Sequence, residues 1–334
     1  MKMTKYLSIL LCVALLLGLL SGCGGTGGSG EEICTIRVAT TESEVTATYK
    51  AIESFKAYLE EKSGGRIQVE ILGNGVMGGE REILEAATLG TLEVSVGSTS
   101  LVSSYLPDFA FLELPFIFDS RQDAWEAIDG EVGEFLNAQL PGTGLIALGY
   151  QDNSVRSVSN NVRPINTVSD LRGLKLRVVE APVYIDTFKL LGANPVPMSF
   201  TEIYTALSQG TVDGQENGPN MVVDGKFYEV QKYYSLTQHI VSSLVATMNK
   251  DFFDSLPEDL QSLVLEAGHK CLEEEQRELA VKLDDEFTQV ILDAGVVINE
   301  ITPENIQGFK DAVKPIYDSY KETLSPELFE MIGL

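Results

Sequence analysis

The sequence predicts an α/β chain of two lobes. Each lobe is an open sheet with flanking helices, and hinge strands and one long helix spanning both lobes join them. Three observations predict this class. Strand-like and helix-like stretches alternate along the chain, the length suits two domains, and one helical pattern runs from Pro257 to about Asp293. Repeated β-α-β units place strands in parallel and cover both sheet faces with helices. Ligands in such sheets sit beyond the carboxyl ends of the strands.

The first residues read as a leader. Lys2 and Lys5 precede an apolar run from Leu7 to Leu20 that is broken by Ser8 and Gly18, followed by Ser21, Gly22 and Cys23. A short apolar run behind basic residues and before small ones is a signal peptide, whereas a spanning helix needs about 20 apolar residues. Leu20-Ser21-Gly22-Cys23 resembles the lipobox of bacterial lipoproteins, which implies acylation of Cys23. Gly24 to Gly30 follows as a flexible tether. Removing residues 1–22 leaves 312 of the 334 and shifts the net charge from −25 to −27, because Lys2 and Lys5 leave with them. So acidic a chain repels nucleic acid. Any bound anion must be held by cations placed locally inside a pocket.

The mature chain opens with a strand at Ile36–Ala39. Apolar residues at Tyr49, Ile52, Phe55 and Leu59 keep a helical period until Gly64-Gly65. Ile67, Val69 and Ile71 alternate as a second strand, Arg81–Leu89 is a short helix, and Leu92–Val96 is a third strand. The loops after Val38, Ile71 and Val96 are candidates for one pocket wall. Leu106–Phe118 is proline-punctuated and apolar, and reads as buried core or an inter-element crossing. A helix at Ala124–Leu140 and a strand at Leu145–Tyr150 follow. A second set has a strand at Leu174–Val179, helices at Tyr184–Leu191 and Glu202–Ser208, and a strand at Val212–Gln215. Ile240–Met248 is a long strand suited to crossing between lobes. The helix from Pro257 spans about 50 Å at 1.5 Å per residue, longer than one small domain.

The chemistry concentrates in Asp170-Leu171-Arg172-Gly173-Leu174-Lys175-Leu176-Arg177-Val178. Lys175 and Arg177 share one strand face while Leu174, Leu176 and Val178 share the other. An arginine fork at a strand end matches a carboxylate bidentately, as lysine cannot. Taken alone, the same pattern also reads as a solvated surface charge. Cys34 and Cys271 can pair in an oxidising compartment or stand as separate buried thiols, and their spacing is not that of a metal site. His239 and His269 are the two histidines of the chain. No zinc motif, nucleophile elbow or phosphate loop occurs, so no metal or cofactor is expected and an enzyme is not.

Five ordered blocks carry a family resemblance. They are Leu-Pro-Phe-Ile-Phe at 114–118, Asp-Leu-Arg-Gly-Leu-Lys-Leu-Arg at 170–177, Pro-Met-Ser-Phe-Thr-Glu-Ile-Tyr-Thr-Ala-Leu at 197–207, Val-Asp-Gly-Gln-Glu-Asn at 212–217 and Lys-Phe-Tyr-Glu-Val-Gln-Lys-Tyr at 226–233. From residue 36 to about 320 the chain resembles solute-binding proteins of tripartite ATP-independent periplasmic (TRAP) transporters, of the dicarboxylate- and sialate-binding type. The resemblance implies a type II-like periplasmic-binding-protein fold that hinges shut on its ligand. It puts the ligand arginine at Arg177, a second at Arg156, an amide donor at Asn217 and an aromatic wall at Phe200, with Asn153 on the approach to Arg156. Glu216 is expected to orient Arg177 or the hinge. Thr41, Gly79 and Ser98 stand where sialate binders carry extra polar and acidic groups. Sialate is therefore not expected, and Thr41 and Ser98 remain candidate contacts for a smaller acid. Glu42 and Glu180 read either as acceptors for sugar hydroxyls or as solvated acids.

The resemblance gives lobe I as residues 34–153 with 243–282 and lobe II as 154–242 with 283–334, after a leader at 1–22 and a tether at 23–33. It implies a lipid-anchored, extracytoplasmic protein that passes a small organic acid to small and large membrane permease subunits for ion-coupled uptake. The ligand is expected to be a uronate or aldonate, with a short dicarboxylate as the alternative. A secreted hydrolase or lyase of similar shape, and a ligand-presenting co-receptor for a membrane sensor kinase, are the competing classes.

Overall fold

The computed structural model describes residues 33–334, so the expected leader, the lipobox with Cys23 and most of the tether lie outside the described residues. Nine strands follow in order: β1 (Cys34–Ala39), β2 (Ile67–Leu72), β3 (Val94–Ser98), β4 (Leu145–Asn160), β5 (Lys175–Val178), β6 (Asn194–Pro197), β7 (Gly214–Asn217), β8 (Tyr233–Asn249) and β9 (Val297–Glu300). They form a single sheet in the order β2-β1-β3-β8-β4-β7-β5-β6, with β9 added to β8.

The two expected parallel groups are both present: β2-β1-β3 at one end and β7-β5-β6 at the other. Two long antiparallel strands join them into one sheet, which refines the expectation of two separate ones. β8 pairs with β3 from Val94↔Met248 to Ser98↔Leu244, and with β4 from Leu145↔Asn249 to Asn160↔Tyr233. Both strands are buried on both faces for most of their length, as central strands covered by helices must be. Register shifts interrupt the β4–β8 ladder between Asp152 and Val155 and between Arg156 and Val158. Bulges of this kind bend a strand and re-aim its side chains. The shift at 152–155 contains Ser154, a left-handed residue at φ 65°.

Helix α1 (Ala47–Lys62) begins where the Thr46 hydroxyl accepts from Tyr49 N, and it buries Ala51, Ile52, Phe55 and Leu59 against the β1–β2 face. It stops at Gly64 and Gly65, whose φ values of 65° and 86° only glycine adopts cheaply. Helix α2 (Glu80–Thr88) turns Ile83, Leu84 and Ala87 inward and points its first turn at the end of β3. The expected helix at 124–140 is two, Arg121–Asp129 and Glu131–Gln139, because Gly130 leaves the helical region between them. Leu106–Phe118 is core as expected: Phe109, Phe111, Leu112 and Leu114 are buried around a short 3-10 helix.

The long helix is present with a defect at its middle. Glu258–Ala267 passes through a π-helical stretch, Gly268–Glu275, into Gln276–Asp293. Gly268 presses directly on β4, where a Cβ would lie 2.4 Å from the Leu148 carbonyl oxygen. The C-terminal helix Pro303–Lys321 lies beyond β9. Ser325 hydrogen-bonds Asp108 through its N–H (2.8 Å) and hydroxyl (2.7 Å), and Phe329 meets Phe111 edge-on at 5.2 Å. The chain end is thus packed on the segment expected in the other lobe. The reason is apolar area: Leu328 and Phe329 find their burial beside Phe111.

Candidate ligand-binding site

A partly open cavity of about 470 Å³ lies where the sheet's two parallel groups face each other. Strand ends and the loops beyond them line it. Glu42 lies just past β1, Glu80 at the start of α2, and Ser98 at the end of β3. These are the loops that the sequence offers as one wall. From the other group come Arg177, Val179, Glu180, Ser199, Phe200, Asn217 and Met221, while Asn153, Arg156 and Leu244 come from the crossing strands.

Arg177 is only 4% exposed. Its Nε donates to the Met198 carbonyl at 2.9 Å, and its other two nitrogens have no protein partner among the described residues. Burial lowers its pKa to about 10, with the neighbouring Arg156 charge adding to that and Glu216 opposing it. A guanidinium stays charged at that value at neutral pH, so the cavity holds a buried cation with two unused donor nitrogens.

Arg156, expected as a second ligand arginine, lines the cavity and is also held within the protein. It is 2% exposed and clamped to Glu216 by Nε–Oε2 at 2.7 Å and Nη2–Oε1 at 2.8 Å, with a third bond from Nη2 to the Glu216 carbonyl at 2.7 Å. His239 Nε2 lies 3.2 Å from the same carboxylate, and the Tyr184 ring lies beneath the guanidinium at 5.1 Å. Tyr184 in turn donates to the fully buried Glu113 at 2.6 Å. Burial pushes the Glu216 carboxyl up, but the Arg156 charge and its hydrogen bonds outweigh this and hold it at about 2. Glu216 therefore serves the crossing strand through Arg156, and it pairs with that arginine and not with Arg177.

The remaining expected residues divide. Asn217 lines the cavity, with one amide hydrogen committed to Gln215 Oε1 at 2.5 Å and the other uncommitted. Phe200 lines it and packs edge-on against Phe227 at 5.6 Å. Asn153 lines it while accepting from Asn220 Nδ2 at 3.2 Å. Ser98 lines it, its hydroxyl 2.7 Å from that of Ser100. Thr41 does not line it. That residue is buried and bonds to Glu80, which takes the wall position in its place.

Sequence reasoning missed Glu80 altogether and left Glu42 undecided. The half-buried Glu80 carboxylate accepts from Ser98 N at 2.8 Å. Burial raises its pKa, and the Ser98 N–H and the two arginine charges work against that rise. Glu42 is 4% exposed, so it is no solvated acid. Burial, then the nearby Asp224, pushes its pKa up to about 8. Acids on loops give no sequence signal for burial, because tertiary packing decides it. Contacts also cross the mouth of the cleft: Ser43 bonds Asp224, and Arg81 Nη2 donates to the Glu180 carbonyl at 2.7 Å. Among the described residues, no cluster of His, Cys, Asp or Glu is arranged to hold a metal. No helix among them is long and apolar enough to cross a membrane.

This architecture is shared. The profile of the bacterial extracellular solute-binding proteins of family 7, DctP, matches residues 38–323. The chain belongs to that family. Its relatives include the 2,3-diketo-L-gulonate-binding periplasmic protein YiaO of Escherichia coli, 34% identical over 84% of this chain and 84% of that one. A TRAP periplasmic solute-binding protein from a Sulfitobacter species, solved with β-D-galacturonate, superposes with a TM-score of 0.85 at 33% identity, covering 89% of this chain and 98% of that one. The sugar acid binding protein DctPAm of Advenella mimigardefordensis, in complex with galactonate, gives 0.87 at 32% identity over 90% and 97%. This DctP-family chain is thus a TRAP-type solute-binding protein, and the two-lobed α/β fold and transport class expected from its sequence are those of its relatives.

Proposed function

We propose that this protein captures a sugar acid, a uronate or aldonate, by pairing its carboxylate with Arg177. The observation that carries this reading is the buried guanidinium with two unpartnered nitrogens at the cavity wall. A buried charge is tolerable only when paired and hydrogen-bonded. A ligand carboxylate supplies that pairing, and the spare amide hydrogen of Asn217 is placed to assist it. Phe200 offers an apolar face to the carbon skeleton. Asn153, Ser98, Glu80 and Glu180 offer hydrogen-bonding partners for hydroxyl groups.

A short dicarboxylate fits less well. Among the described lining residues, the other arginine is already neutralised by Glu216, and the acids Glu42, Glu80 and Glu180 share the rest of the wall. No further cation among the described lining residues remains to pair a second ligand carboxylate. The sugar acids bound by the galacturonate and galactonate proteins agree with this preference.

The family and the sequence support a wider role. The mature protein is held outside the cytoplasm by lipid on Cys23 and delivers its ligand to small and large permease subunits for ion-coupled uptake. It performs no chemistry on the ligand. Residues 34–153 with 243–282, and 154–242 with 283–334, form the lobes that close over it.

Differential scanning fluorimetry with a panel of uronates, aldonates, succinate and sialate tests the assignment. A true ligand at about a hundred times its dissociation constant adds about 2.7 kcal/mol of stability. We expect that shift from a uronate or aldonate and not from sialate. A shift from succinate alone would overturn the sugar-acid assignment.

A further inference from the structure

Glu42 faces the ligand cavity with no cation beside it. It follows β1 and is 4% exposed, and its Oε2 is buried without a hydrogen-bond partner. The groups around it are known from each packed element. The Thr46 and Thr48 hydroxyls come from the start of α1, Glu80 from α2, and Asp224 from the helix Pro219–Asp224. Asp224 is itself occupied by Ser43 and has Glu44 nearby. The strongest charges acting on Glu42 are the acids Asp224 and Glu80, whereas Glu80 feels both Arg177 and Arg156. The wall around Glu42 is therefore the acidic end of a cavity whose cationic end is Arg177.

From this geometry we infer that Glu42 acts as a neutral carboxylic acid, a hydrogen-bond donor to a hydroxyl or ring oxygen at the end of the ligand remote from Arg177. This rests on the sugar-acid reading above and deepens it. In this reading the ligand completes the hydrogen bonding of that oxygen. Burial and Asp224 together favour the protonated form, with a pKa pushed up to about 8. The sign of the pH dependence follows. Glu42 donates below that value and loses its proton above it, so affinity is highest from about pH 6 to 7 and falls as pH rises through 8 to 9. Arg177, at about 10, stays charged through most of that range.

Titration calorimetry of wild type, Glu42→Gln and Glu42→Leu with D-galacturonate, D-galactonate and succinate, at pH 6.0 to 9.0, tests the inference. Glutamine keeps a donor at every pH, so Glu42→Gln should bind the sugar acid within about fivefold of wild type at pH 6 and lose the alkaline decline. Leucine removes the donor, and Glu42→Leu should bind sugar acid about ten- to a hundredfold more weakly. Thermal melts confirm that both variants are folded. If wild type binds a sugar acid and Glu42→Leu matches it, or Glu42→Gln keeps the wild-type pH profile, this inference fails while the sugar-acid reading stands. A wild type that takes succinate and no sugar acid overturns both.

Discussion

At the scale of single residues, the two arginines of the cavity do different work, and the difference lies in their partners. Arg177 has one protein acceptor, Met198 O at 2.9 Å, and awaits an anion. Arg156 spends Nε and Nη2 on Glu216, which leaves Nη1 without a protein acceptor among the described residues. Alternation along Leu174–Val178 made Arg177 legible in the sequence, because a two-residue period states which side chains share a face. The employment of Arg156 was not legible. It depends on β4 and β7 lying side by side at Val158↔Glu216, a pairing that no local pattern encodes. A specific prediction follows for Glu216→Gln, which leaves a buried guanidinium without its counter-charge. Urea unfolding at pH 7 should show a loss of about 3–5 kcal/mol. The pH dependence has a definite sign. The folded Glu216 carboxyl is held at about 2, below its ordinary 4.5. Its contribution is therefore complete above about pH 4.5 and is lost as pH falls toward 2. Acid unfolding of wild type should accelerate across that window, and the Glu216→Gln variant should lack this step.

At the scale of elements, short strands and amphipathic helices were read within a few residues, and long polar strands were not. The strand expected at Leu145–Tyr150 runs on to Asn160 through Gln151-Asp152-Asn153-Ser154, which carry no apolar signal. These residues are buried because hydrogen bonds satisfy most of them: Asp152 N and O, for example, are bonded to the Gln276 amide at 2.8 and 2.9 Å. The helix from Pro257 was legible from its period, but its π-helical centre was not, since that defect arises from contact with β4. Two glycine substitutions separate these causes. Gly268→Ala drives a Cβ to 2.4 Å from Leu148 O and should cost about 1–3 kcal/mol in urea unfolding. Gly308 lies exposed inside Pro303–Lys321 with nothing within 4 Å of its would-be Cβ. Gly308→Ala should stabilise by about 1 kcal/mol in the same assay.

At the scale of the whole molecule, one continuous sheet carries two parallel groups, and the crossing strands β4 and β8 are what connect them. The arrangement sets strand ends from both groups around one cavity, with a buried cation contributed by one group and acidic side chains by the other. The chain as a whole carries a net charge of −25, so long-range electrostatics oppose the approach of an anion. Binding must come from the local field of a desolvated cation and its hydrogen bonds, which makes Arg177 the centre of the functional claim. The transport class was legible from five ordered blocks, while the identity of the wall residues emerged only when the loops after β1, β2 and β3 met. The most direct test is titration calorimetry of wild type and Arg177→Ala with the sugar acid that gives the largest thermal shift. Removing one partner of a buried charge pair costs about 3–5 kcal/mol. Affinity should therefore fall by about a hundredfold to several thousandfold. A loss of less than about fivefold, with the variant folded, would contradict it.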